Sequence, residues 1–156
     1  MIVKFYEIDR IKPKNKKLIL LYGKNEALKT QAIQQLSNKD TRLFNYEENE
    51  VINQSNEFIE SVLNKSLFDN KKIIVIKRAT DKIIKILDKI KDKNIEDTIF
   101  ICSENLDKKS KLRVIFEKEK NFVCVGFFPD NDQTLLKLAQ NFLREKNINV
   151  STSNIN

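Results

Sequence analysis

The stretch LLYGKNEALKT, residues 20–30, carries the spacing of a phosphate-binding loop with one position changed. Gly23 is followed by Lys29-Thr30 as in G-x-x-x-x-G-K-[ST], but Leu28 stands where the second glycine belongs. In a working loop, successive backbone N–H groups turn toward the phosphates, glycine leaves room for that approach, and Lys and Ser/Thr serve the phosphates and Mg²⁺. The β-carbon of Leu28 would crowd the phosphates. Its spacing to Ala32 and Leu36 makes it instead a core residue of a helix, with Lys29 and Thr30 inside that helix and Gly23 left to make a tight turn.

The metal half of such chemistry is missing too. A nucleoside triphosphatase of this architecture ends a later apolar strand in Asp, commonly followed by Glu. Here IIVI, residues 73–76, runs into Lys77-Arg78, and IFIC, 99–102, reaches Ser103 before Glu104. The chain has no His, which removes the common Ser-His and Cys-His arrangements. Cys102 and Cys124 sit in the apolar runs IFIC and FVCV without a C-x-x-C, so they read as small buried hydrophobes and no metal site is expected. No catalytic, cofactor-binding or metal-ligating residue is assigned.

The elements around the loop alternate short apolar runs with amphipathic ones. KLILLY (17–22), TRLFNYE (41–47), KKIIVIKR (71–78), DTIFICS (97–103) and NFVCVGFF (121–128) predict five strands, the third of them buried on both faces. Between them lie helices: one after Gly23 with Ala32, Ile33 and Leu36 on one face, and NEFIESVLNK (56–65) with Phe58, Ile59, Val62 and Leu63 inward. DKIIKILDKIK (81–91) carries Asp81 near its start, and LDKKSKLRVIFEKEK (106–120) buries Leu112, Ile115 and Phe116. A last helix over about 132–146 has Leu135, Leu138, Ala139 and Phe142 at helical spacing before the polar tail STSNIN. The order predicts an α/β fold, a five-stranded, mainly parallel sheet with helices on both faces. PDND, 129–132, is the one boundary, dividing 1–129 from 130–156, and the state of residues 1–10 is left open.

The 29 Lys and Arg against 22 Asp and Glu give a net charge of +7, which favours polyanionic partners. The basic runs, KPKNKK at 12–17 and DKKSK at 107–111, lack interleaved aromatics and read as solvated surface, with a nucleic-acid role for some of them as the alternative. No apolar run is long enough to span a membrane, and the start MIVKFYEIDR lacks a secretory core, so a cytoplasmic location is expected. In KSLFDNKK, 65–72, Leu67 and Phe68 stand side by side in polar surroundings. Consecutive helical positions point about 100° apart, so the pair is either a plug over the end of the sheet or an exposed apolar anchor for a partner.

Taken together, LLYGKNEALKT, SLFDNKKIIVI and IFICSENLDKKSKLRVIFEKE followed by NFVCVGFF resemble, in order and spacing over residues 17–146, the N-terminal region of the delta subunit of the bacterial DNA polymerase III clamp loader. The resemblance implies an AAA+-like domain without a functional nucleotide site and without catalytic activity of its own, working in DNA replication. It implies that Leu67 and Phe68, preceded by Ser66, enter an apolar pocket on the sliding clamp (beta) and help open the ring, while sister loader subunits hydrolyse ATP. No chemical duty carries over for Leu106 to Leu112, for which capping and packing suffice. Delta subunits continue into a helical lid and a collar. Residues 130–156 then look like the first lid helix, so a fragment of a longer protein, monomeric by itself, is expected. A degenerate ATP-binding protein and a basic DNA-binding domain are the alternatives, and a DNA contact stays open.

Overall fold

A computed structural model of the chain describes residues 2–11, 17–37, 41–64, 72–128, 132–146 and 148. The strands are β1 (Ile2–Lys4), β2 (Leu18–Tyr22), β3 (Arg42–Glu47), β4 (Lys72–Lys77), β5 (Thr98–Ser103) and β6 (Phe122–Gly126). The helices are α1 (Glu26–Leu36), α2 (Glu48–Asn53), α3 (Ser55–Leu63), α4 (Ile84–Ile90), α5 (Lys111–Lys118) and α6 (Asp132–Glu145), with 3-10 turns at Phe5–Arg10 and Asp81–Ile83.

The six strands form one sheet in the order β1-β6-β2-β5-β4-β3, with every pair parallel. β2 lies at its centre, Leu18 opposite Ile99 of β5 on one side and Phe122 of β6 on the other. The expected five strands become six because Ile2–Lys4 adds to the edge, Ile2 opposite Cys124. Three residues leading straight into a 3-10 turn show no alternation to read, and their partner is the last strand in sequence.

Continuous apolar runs give strands buried on both faces, and two separate cores result. On one face Leu18, Leu20, Ile74, Ile76 and Ile101 pack with Val51, Phe58, Val62, Leu87, Leu112 and Phe116 from α2, α3, α4 and α5. On the other, Ile19, Leu21, Val75, Phe100 and Val123 meet Ala32 and Ile33 of α1 and Ile8 of the first 3-10 turn. Each fully buried Leu or Ile contributes roughly 1.5–3 kcal/mol, so the sheet's centre dominates stability. Burial also pushes the thiols of Cys102 and Cys124 up to about 12, leaving them protonated and inert at neutral pH.

Two further elements differ from expectation. The second predicted helix is preceded by α2, closed at its start by a capping box between Glu47 and Glu50. The fourth starts at Lys111, not 106, because Ser110 caps it: the Ser110 hydroxyl accepts the N–H of Arg113. The last helix, α6, lies where its apolar spacing predicts one, and its Leu135 and Phe142 are exposed. Pro129 and Asp130, at the predicted boundary, lie outside the described residues.

Candidate functional site

The carboxyl ends of β2, β4 and β5 converge where open parallel sheets usually bind ligands. Gly23 has φ 127°, and a β-carbon there would lie 1.9 Å from the Phe127 carbonyl oxygen, so the turn needs glycine both for conformation and for space. Its N–H does not point at an open site; it is shared between the carbonyls of Ser103 (3.3 Å) and Glu104 (3.1 Å). Asn25 caps α1, its Oδ1 accepting the N–H of Leu28 at 3.1 Å. The Glu26 N–H donates to the Lys24 carbonyl at 3.0 Å, and the Lys29 N–H to the Asn25 carbonyl at 3.2 Å. The amides a phosphate cradle would use are thus bonded within the protein.

Lys29 completes the closure. It lies in the first turns of α1, 2% exposed, and its Nζ donates to Glu26 Oε1 at 2.6 Å and to the Ser103 carbonyl at 2.8 Å. A buried ammonium is costly unless paired, and here a carboxylate and a carbonyl do the pairing. The Ser103 hydroxyl in turn donates to the Ala79 carbonyl, and Ala79 N–H to Cys102. The lysine is thereby one end of a strut joining α1, β5 and the end of β4. Leu28 is partly buried against the Ala32 and Ile33 layer, as its spacing predicts, and Thr30 is exposed.

Where an ATPase would hold Mg²⁺, β4 runs into Lys77 and Arg78. Arg78 adopts φ 53°, and its Nη2 lies 2.8 Å from Glu47 Oε2 in an ion contact that is not an aligned hydrogen bond. Next along the chain, the buried Glu48 accepts from both the N–H (2.7 Å) and the hydroxyl of Thr80. Asp81 reaches across to α5, accepting the Ser110 hydroxyl at 2.8 Å and the N–H groups of Leu112 and Lys111 at 3.0 and 3.2 Å. Burial opposes its ionisation, but those donors prevail and hold the carboxyl below its ordinary 3.8.

Residues 106–112 act as the sequence suggests: Ser110 caps, Leu112 is fully buried, and Leu106 packs partly against the same core. Arg113, just beyond, bonds Glu117 and the Leu106 carbonyl and lies 4.9 Å over the Tyr22 ring. Ser66, Leu67 and Phe68 lie outside the described residues. Sequence reasoning missed two things. One is the burial of Lys29, whose only signal is Glu26 three residues earlier on the same helix. The other is a cleft of about 470 Å³ between α1 and the end of the sheet, lined by Thr30, Ile33, Leu43, Val75, Lys77 and Arg78 among others.

No protein-family profile and no curated protein sequence matches the chain. Among solved structures it is similar to the Bacillus subtilis DNA clamp loader delta protein (YqeN), with a TM-score of 0.69 at 13% identity over 96% of this chain and 48% of that one. The chain thus spans about half the length of that protein. Weaker likenesses are the Walker-type ATPase paby2304 of Pyrococcus abyssi (TM-score 0.48, 14% identity, 97% of this chain and 60% of that one) and the replication initiator DnaA bound to AMPPCP and single-stranded DNA (0.45, 14%, 96% and 51%). The fold is α/β, with a six-stranded all-parallel sheet, and is like that of the clamp loader delta protein.

Proposed function

We propose that this chain is the clamp-binding domain of a clamp-loader delta subunit, which grips the sliding clamp through Leu67 and Phe68, with Ser66 beside them, and helps open the ring during DNA replication. Residues 1–129 form the AAA+-like domain, and 130–156 begin a lid. The domain handles no nucleotide and catalyses nothing; sister loader subunits do so in the cytoplasm. One observation carries this reading. In a fold like that of a clamp loader delta protein, the phosphate loop is folded shut on itself, Gly23, Leu28 and Lys29 all spending their donors on the protein. A partner-gripping role is what such a body retains, and burying a Leu and a Phe in a partner's pocket contributes roughly 1.5–3 kcal/mol each.

The test is binding to the sliding clamp of the same organism by surface plasmon resonance. The parent chain is expected to bind and the Leu67→Ala/Phe68→Ala double variant to lose binding while melting at an unchanged temperature. Equal binding by both would remove the Leu-Phe assignment. Calorimetric titration with ATP and Mg²⁺ is expected to be flat, and tight binding weakened by Lys29→Ala would favour a nucleotide-binding protein instead.

A further inference from the structure

We infer that the outer edge of β3, with the cleft beside it, is a docking site for an extended acidic peptide from a partner protein, which adds to the sheet as a seventh strand. The two edges of the sheet are built differently. β1 is three residues long and turns at once into a 3-10 turn, which blunts it. β3 runs six residues in unbroken register with β4, from Arg42 opposite Lys72 to Glu47 opposite Lys77. Among the described residues no strand pairs with its outer side, and RLFNYE contains no Pro, Gly or Lys and no bulge to protect it. Leu43 is 43% and Phe44 40% exposed, on opposite faces of the strand. An edge left this open is the geometry that strand addition uses, with main-chain hydrogen bonds giving affinity and alternate side chains giving specificity.

The cleft supplies the side-chain site. Among the described residues this face of the sheet is covered by α1 and the 3-10 turn after β1, and Leu43 and Asn45 of β3 border a hollow that Ile33, Val75 and Cys102 also line. A strand laid along β3 would become its missing outer wall, and every second side chain would fall beside Leu43 and Asn45. At its carboxyl end the hollow is bordered by Lys77 and Arg78, with Glu104 nearby; Glu26, also on the lining, is spent on Lys29. Arg78 holds a left-handed backbone that costs a non-glycine residue about 1 kcal/mol, a form of strain that gathers at ligand clamps. Its guanidinium stays largely exposed despite the contact with Glu47. Arg42 marks the other end of the edge. A second copy of the chain would bring another +7 to the same edge, whereas an acidic segment is attracted to it, so charge selects the hetero-partner.

The test uses the whole chain and two fluorescein-labelled eight-residue peptides, one alternating Glu with Val and Leu, the other with Lys in place of Glu. Anisotropy titration is expected to show the acidic peptide binding at least about tenfold more tightly. Hydrogen exchange should slow at the amides of residues 42–47 when it is present. Arg78→Gly suits the backbone and so keeps the fold; it should weaken acidic-peptide binding several-fold without lowering the melting temperature. Equal binding of both peptides, no binding, or binding untouched by Arg78→Gly overturns the proposal. So does a concentration-dependent dimer dispersed by Leu43→Glu, which would make the occupant a second copy. Clamp binding, which rests on Leu67 and Phe68, can fail or succeed independently of these outcomes.

Discussion

Lys29 and Lys77 stand at the same end of the same sheet, yet the first is 2% exposed and bonded to a carboxylate and a carbonyl, while the second is on the surface beside an open hollow. The regions around them differ in the same way. Gly23, Lys29 and Ala79 are each tied by a hydrogen bond to the end of β5, and the Gly23 and Lys29 donors are of the kind that a phosphate-binding loop turns toward its ligand. From Asn45 to Arg78 the strand ends are left unroofed. Where the loop closes at the switch point of the strand order, the open hollow that is left lies toward the β3 edge.

If the Gly23 region is a rigid seal, the largest loss should follow Gly23→Ala, which sets a β-carbon against the Phe127 backbone at a positive φ. Roughly 3 kcal/mol or more is expected from urea unfolding. Gly126→Ala, by contrast, meets side chains and no backbone, the exposed Phe128 ring at 2.7 Å and the buried Tyr22 phenol at 3.0 and 3.1 Å, and should cost about 1–2 kcal/mol. Lys29→Ala comes next: the Ser103 carbonyl loses a donor in the interior, for about 2–4 kcal/mol. Lys29→Met, which keeps the volume and leaves no charge, should recover part of that loss. A Lys29→Ala chain as stable as its parent would dissolve the contrast between the two lysines.

Asp81→Asn should cost about 1 kcal/mol or less, since the carboxylate receives the first N–H groups of α5 but stands near solvent. Because the folded carboxyl titrates below its ordinary 3.8, its contribution is complete above about pH 5 and fades as the pH falls through the lowered value. Denaturation curves of parent and variant should therefore converge in acid. The smallest effect belongs to the open side: Leu43→Thr, on an exposed strand that favours β-branched residues, should change stability by less than about 0.5–1 kcal/mol.

Four of the strands could be read from apolar runs that burial on both faces leaves uninterrupted, whereas β3, exposed over most of its length, was legible only through Leu43, Phe44 and Tyr46. IIVI and IFIC are each buried throughout. The first strand could not, because its identity depends on pairing with β6 and not on its own three residues. Leu28 announced its packing through its spacing to Ala32, whereas the burial of Lys29 was signalled only by Glu26; its other acceptor, the Ser103 carbonyl, is a backbone atom far along the chain. Asp81 looked like a residue favouring its own helix and instead also caps another, since only the folded chain brings Ser110 beside it. Local patterns determined the elements; what joins their ends was set by tertiary neighbours.

The strand order bears on how the molecule comes into being on a ribosome. β2, near the start of the chain, finds its neighbours in β5 and β6, and among the described residues β1 pairs with β6 alone. A nascent chain therefore emerges with its most apolar strand unpartnered and must wait for almost the last strand before the sheet can close. Such distant pairings fold slowly, and the waiting segment LILLY is what a cell would have to shield during synthesis.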